Sequence, residues 1–256
     1  MKRFAWVAVL AGLLLAWEAW VDLRSVPDYL LPSPSGIASA LWDERSTLLS
    51  QAAVTAREML FGFALAVILG LGAAILLQRL PWLRSAVYPL LVASQSIPVV
   101  AIAPLLVIYL GFGLSPKALI VALVCFFPIV VAGTDGFRAT DPELIKLFRT
   151  FGAGRWTIFR LVRFPGALPS LFSGIRIAIT YSVTGAIVGE CVGATDGLGI
   201  YIQRVKNSFQ VDRVFAAILI IALLRIGLFA LVALVERLVL PWQFAARAER
   251  GVRDEV

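Results

Sequence analysis

The sequence predicts an all-α integral membrane protein with about six transmembrane helices and a cytoplasmic helical hairpin between the fourth and the fifth. Three observations predict it. The 256 residues are 60% hydrophobic and 15% charged, with mean hydropathy +0.90, whereas soluble domains sit near 45–50% apolar and about 25% charged. Apolar runs recur at roughly the 20-residue length that crosses a bilayer. The net charge of +7 is carried between those runs rather than on one polar module. That is the pattern of cytoplasmic loops in membrane proteins, not of a nucleic-acid-binding face, so no nucleic-acid partner is expected.

The elements follow in order. Met1-Lys2-Arg3 precedes an apolar run from Phe4 to about Trp20. A signal peptide would end in small residues, but this run ends in Trp17-Glu18-Ala19-Trp20, so an uncleaved first span is predicted. Pro27, Pro32 and Pro34 break helix in the polar stretch that follows. From Ser35, the run GIASALWDERSTLL sets Ile37, Leu41 and Leu48 to one side, which predicts an amphipathic helix lying on the outer membrane face. The second span covers about residues 54–77, with Gly62, Gly70 and Gly72 placed to let helices approach. The third, about 88–110, is interrupted by Ser94-Gln95-Ser96-Ile97-Pro98 and by Pro104. The fourth is about 118–133, the fifth about 170–188 and the sixth about 214–234, with a long outer loop at 189–213. The expected division is an N-terminal helix plus outer segment at 1–51, a transmembrane domain at 52–242 and a charged cytoplasmic tail at 243–256.

Counting cations supports this topology. The predicted inner segments hold Lys2, Arg3, Arg79, Arg84, Arg138, Lys146, Arg149, Arg155, Arg160, Arg163, Arg247, Arg250 and Arg253. The outer ones hold Arg24, Arg45, Lys117, Arg204, Lys206 and Arg213. The excess is on the inside, and both termini fall in the cytoplasm of a plasma-membrane protein.

The stretch from Asp141 to Glu190 is the most informative. Leu144, Leu147 and Phe148 share a helical face, with Lys146, Arg149 and Thr150 interleaved. Gly152 permits a turn, a second short helix runs from Arg155 toward Val162, and Pro165 and Pro169 are expected to end it. Residue types alone leave two readings open: a rigid protrusion that fits a partner's groove, or a basic loop obeying the positive-inside rule.

RTFGAGRWTIFRLVRFPGALPSLFSGIR resembles the coupling segment of permease subunits in bacterial type I ABC importers. The family pattern is Glu-Ala-Ala, three residues, Gly, nine residues and Ile-x-Leu-Pro. Its glycine falls on Gly152, its isoleucine on Val162 and its Leu-Pro on Phe164-Pro165. GALPSLFSGIR is similar to the AALPxxxxGLR stretch that opens the family's next span, and the resemblance extends over about residues 32–242. It departs at Lys146, where the family has glutamate, and at Leu147 and Phe148, where it has alanine; Glu143 is the nearest acid. The resemblance implies two permease copies, or this chain with a related one, above an ABC ATPase dimer, with a substrate-binding protein outside. It also implies that Arg149, Thr150, Gly152, Ala153, Arg155 and Pro165 make the ATPase-coupling surface. FFPIVVAGTDGFRATDPELIKLFRTFGAGRW and GAIVGECVGATDGLG look most like importers of the thiamine pyrimidine precursor or riboflavin, with nitrate, sulfonate and taurine permeases next.

For the translocation path, the candidates are Ser94, Gln95 and Ser96 beside Pro98, then Tyr181 and Thr184, and Arg225. Polar residues inside a span face a bundle interior or a wet cavity, although Ser and Gln also bond between helices. Arg225 either attracts an anionic or carbonyl-bearing solute or pairs with an acid such as Glu18 or Glu58. Arg176 and Glu190, near the two ends of the fifth span, are expected to snorkel.

Catalysis has little to work with. There is no histidine, and the two cysteines, Cys125 and Cys191, lie in or beside apolar runs, so no catalytic triad, zinc site or other metal site is expected. No G-x-x-x-x-G-K-[ST] run appears, so the chain is expected to bind no cofactor, with ATP and magnesium on a partner ATPase. The competing function, an ion-gradient-driven transporter, needs acids near the midplane and often inverted repeats, and the span interiors hold few acids.

Overall fold

The computed structural model describes residues 5–242, which contain helices and no strand. In order these are α1 (Ala5–Arg24), α2 (Pro34–Asp43), α3 (Arg45–Arg79), α4 (Pro81–Ser94), α5 (Val99–Leu110) and α6 (Leu114–Arg138). Then come α7 (Pro142–Thr150), α8 (Arg155–Ile158), a π-turn at Phe159–Arg163, α9 (Phe164–Gly193), α10 (Leu198–Asn207) and α11 (Val211–Val239). Met1–Arg3, Phe4 and the charged tail from 243 lie outside the described residues.

Among the described residues, four helical segments are long and apolar enough to cross a membrane: α3, α6, Arg155–Gly193 and α11. The pair α4 and α5 adds a fifth if it counts as one span, bent by 99°. The predicted interruption of the third span is therefore a sharp corner at Ser94–Pro98. Pro98 caps α5 in extended conformation, whereas Pro104 sits inside α5 without breaking it.

Packing divides the chain into two units. The first joins the residues up to Arg57 with Ile187–Leu224. Its α2 begins in the Leu-Pro-Ser-Pro stretch: the Ser33 hydroxyl accepts from the Gly36 N–H, and Pro34 occupies the first turn. The Glu18 carboxylate accepts from the Ser35 N–H at 3.0 Å and from its hydroxyl at 2.5 Å. The apolar side predicted to lie on lipid is instead inside the protein. Ile37 and Leu48 are buried, and Ala40, Leu48 and Ala52 pack with Leu198, Tyr201, Val205, Ala216 and Ala217. The predicted outer loop holds α10, because Leu198, Tyr201 and Val205 recur at helical spacing and have this core to enter. Burial, and then the Glu44 carboxylate, push the Tyr201 phenol up; Arg213 meets Glu44 at 2.8 Å.

The second unit comprises Glu58–Ala186 and the chain from Arg225 onward. Here α3, α6 and α9 approach closely at glycines. A Cβ on Gly62 would lie 2.5 Å from the Ala118 carbonyl oxygen, and one on Gly174 would meet the Pro128 carbonyl at the same distance. Gly72, by contrast, faces open space, so it does not serve the close approach predicted for it. Lys117, expected in an outer loop, is in the first turn of α6 and buried against Glu58 at 2.5 Å.

Pro165 and Pro169 do not end the second short helix as predicted. The chain stays helical from Arg155 to Gly193. The π-turn is the reason: the Phe164 N–H reaches back five residues to the Phe159 carbonyl. This widened turn admits Pro165, which has no N–H to offer and whose ring would crowd a regular α-turn. Beyond it, Ala167, Leu168, Leu171 and Phe172 are buried and hold the first turns of α9.

Candidate coupling surface and translocation path

The coupling candidates sit on a helix-turn-helix within the second unit. Asp141 caps α7 by accepting from the Glu143 N–H at 2.8 Å, and Pro142 fills the first turn. At the other end, the Gly152 N–H donates to the Arg149 carbonyl at 2.9 Å and the Ala153 N–H to that of Phe148 at 3.0 Å. With Gly152 at φ +77°, this is the paired-bond stop of a Schellman motif. Arg149, Thr150 and Arg155 are exposed around it. Pro165 lies apart, in the first turn of α9.

Beneath α7 and α8 is an open groove of about 590 Å³ lined by Gln78, Arg79, Arg149, Arg155, Trp156, Ile158, Phe159 and Arg163. None of its four arginines has an ion pair among the described residues. One wall is aromatic. Phe159 stacks on Trp156 at 5.6 Å and on Phe137 at 5.9 Å between ring centroids, and meets Phe164 at 6.0 Å. The Arg79 guanidinium lies 5.5 Å from the Phe159 ring centre and 5.8 Å from that of Trp156. These contacts tie α8 and the π-turn to the ends of α3, α6 and α9. Lys146 is exposed, and its carbonyl accepts from the Thr150 hydroxyl at 3.2 Å. Nothing in the spacing of single aromatic residues announced that they would converge.

The path candidates fall in two places. Gln95 and Ser96 are exposed at the α4–α5 corner, and the Ser94 hydroxyl donates to the Leu91 carbonyl at 2.7 Å. On α9, Ser173, Ile177, Thr180, Tyr181 and Thr184 form one exposed face. Arg225 joins it from α11, donating to the Thr180 hydroxyl at 2.9 Å. No hydrogen bond among the described residues links the corner to this face.

The proposed acid partners of Arg225 are engaged elsewhere: Glu18 with Ser35 and Glu58 with Lys117. Snorkelling also fails for both residues assigned to it. Arg176 pairs with Glu236 of α11. Glu190 has 0% of its surface exposed. Its carboxylate accepts from the Thr55 hydroxyl at 2.6 Å and from the Gly199 N–H at 2.5 Å. Both residues are charged groups within apolar runs, which was the only signal available in the sequence.

Several apolar helices and a sharply bent helix pair define a multi-pass, all-α membrane protein with a basic helix-turn-helix between spans. The chain belongs to the binding-protein-dependent transport system inner membrane component family, whose model matches residues 66–241. It is therefore the permease subunit of an ABC importer, a component of the inner membrane. It is 38% identical over 250 residues to a riboflavin transport system permease protein of Chloroflexus aurantiacus, covering 95% of this chain and 93% of that one. It is also 38% identical over 232 residues to a formylaminopyrimidine transport permease protein of Halalkalibacterium halodurans, covering 90% and 92%. A taurine transport system permease protein of Escherichia coli is 28% identical over 247 residues, covering 92% and 88%. In fold, the chain is similar to a structure of the MetNI methionine ABC transporter in inward-facing conformation, with TM-score 0.62 at 19% identity, covering 77% of this chain and 98% of that one.

Proposed function

We propose that this permease is driven by a separate ABC ATPase that docks on the α7–α8 turn, and that it carries a small heterocyclic solute delivered by an external binding protein. A second copy, or a related permease, completes the path. The observation that carries the ATPase reading is the turn itself. A glycine-locked Schellman stop presents Arg149, Thr150, Ala153 and Arg155 beside a groove of unpaired arginines. That cationic surface suits acidic side chains on a docking partner, since guanidinium groups bind carboxylates with directional, charge-assisted bonds. The aromatic stack links α8 and the π-turn to the ends of α3, α6 and α9, which gives a push on α8 a route into the membrane helices.

For the solute, riboflavin and the formylaminopyrimidine class are favoured by the two relatives at 38% identity, and a sulfonate such as taurine comes next. ATP and magnesium belong to the partner, because the chain offers no P-loop.

The test is reconstitution in proteoliposomes with the ATPase and the binding protein, using riboflavin and taurine as probes. Uptake is expected only with internal ATP. Gly152→Val forces a β-branched residue to φ +77°, a strain on the order of 1–3 kcal/mol. It should cut ATP-driven uptake about tenfold while hydrolysis continues and membrane insertion is unchanged. Normal uptake by this variant removes Gly152 as the pivot. Gradient-driven uptake without ATP overturns the ATPase reading.

A further inference from the structure

Arg225 stands at the middle of α11, a 29-residue helix and the most apolar of the candidate spans. A hydrocarbon core takes about 20 helical residues. Wherever such a window is set along α11, at least about five residues, or roughly 7 Å of helix, separate Arg225 from the nearer edge of the core. The Arg225 backbone thus lies within the apolar span, and the bond to Thr180 holds its guanidinium against α9.

Its surroundings do not neutralise it. Among the described residues Arg225 has no ion pair, and its hydrogen bond goes to the uncharged Thr180 hydroxyl. A guanidinium has five N–H donors, and Arg225 is exposed. The face it joins is mostly polar: Ser173, Thr180, Tyr181 and Thr184 are exposed along α9, with Ile177 between them. A lone arginine at membrane depth faces a bundle interior or a wet cavity, and the exposure of the hydroxyls beside it favours the wet one.

We infer that Arg225, held by Thr180 and flanked by Tyr181 and Thr184, is a selectivity site in the translocation path that binds the anionic or carbonyl oxygen of a passing solute and repels cations. This rests on the permease reading and adds a solute class to it. Tyr181, the residue after Thr180, is exposed and adds a ring and a hydroxyl to this face of α9, which suits a planar ring bearing carbonyl groups. Delocalised guanidinium charge accepts such a group side-on with two parallel N–H bonds. A single fixed cation in a low-dielectric passage also sets the sign of the local potential, which a solute meets before any contact is made.

The experiment reads that potential directly. Cys125 and Cys191 are replaced by alanine, Thr184→Cys is introduced, and the assembled transporter is treated with two water-borne methanethiosulfonates of similar size, one carrying a sulfonate and one a trimethylammonium group. Rates are normalised to those on a free thiol. The anionic reagent is expected to be favoured about tenfold, with the preference falling to about one in Arg225→Gln and surviving in Arg225→Lys. Tyr181→Cys supplies a second reporter should Thr184→Cys fail to insert. No reaction at either cysteine would show a dry face, covered by lipid or a second copy, and would overturn the inference. So would a charge preference that Arg225→Gln leaves unchanged. The labelling needs neither ATP nor a transported probe, so its failure and the failure of ATP coupling are read separately.

Discussion

A carboxylate with no exposed surface has to be held by donors, and Glu190 is held by the Thr55 hydroxyl and the Gly199 N–H. Thr55 in turn accepts from the Leu198 N–H at 2.9 Å, and Gln51 accepts from that of Gly197 at 2.5 Å. Three successive N–H groups at the start of α10 are thereby satisfied by side chains from α3 and α9. Gly197, at φ +122°, leaves no room for a Cβ, which would collide with the Glu190 carboxyl group. Hydrogen bonds to charged groups contribute about 1.5–3 kcal/mol each, so Glu190→Ala should destabilise α10 by on the order of 3 kcal/mol. Hydrogen exchange at the Gly199 amide should then quicken roughly a hundredfold, with Glu190→Gln showing a smaller change. Unaltered protection of α10 in Glu190→Ala would mean that the helix is held by its apolar face alone.

The α7–α8 turn shows how an element's stability can rest on residues that no motif includes. Phe159 is half-buried, touches three other rings and lies under Arg79. Aromatic pairs add about 0.5–1.5 kcal/mol each beyond burial, and an exposed cation–π contact about 0.5–1. Phe159→Ala should therefore loosen the turn by roughly 2–4 kcal/mol. The measurement is limited proteolysis across residues 150–156, which should become faster, with Phe159→Leu between the two. Equal cleavage of variant and parent would leave α7 supported by something other than the stack. The Gly152 turn was legible in the sequence because positive φ selects glycine so strongly. The continuous helix through Pro165 and Pro169 was not, because a π-turn depends on a hydrogen-bond offset that residue propensities do not encode. Likewise α10 was hidden in a Gly-rich, polar stretch whose helical face has meaning only once Ala40, Leu48 and Ala216 supply a core for it.

Composition and charge periodicity made the membrane class readable from the chain, since a span's hydropathy is a property of contiguous residues. Ion pairs between spans were not readable: Lys117 with Glu58 and Arg176 with Glu236 join residues about 60 positions apart. These pairs matter to topology, because they assign two charged groups to helix contacts that loop counting had placed in an outer loop or at a helix end. The sidedness predicted from the remaining cations can be tested with exposed positions on both kinds of connection. Thr157 in α8 lies among Arg149, Arg155, Arg160 and Arg163, and Ser208 follows α10. With Cys125 and Cys191 replaced by alanine, Thr157→Cys should react with an impermeant maleimide only in inside-out vesicles, and Ser208→Cys only in right-side-out ones. The physical basis is that Lys and Arg near span ends are retained on the cytoplasmic side, so opposite labelling of the two positions is the expected outcome. Labelling of both positions from one side would mean an even number of crossings between them. It would require a different membrane path for Arg155–Gly193, the single candidate span that separates them.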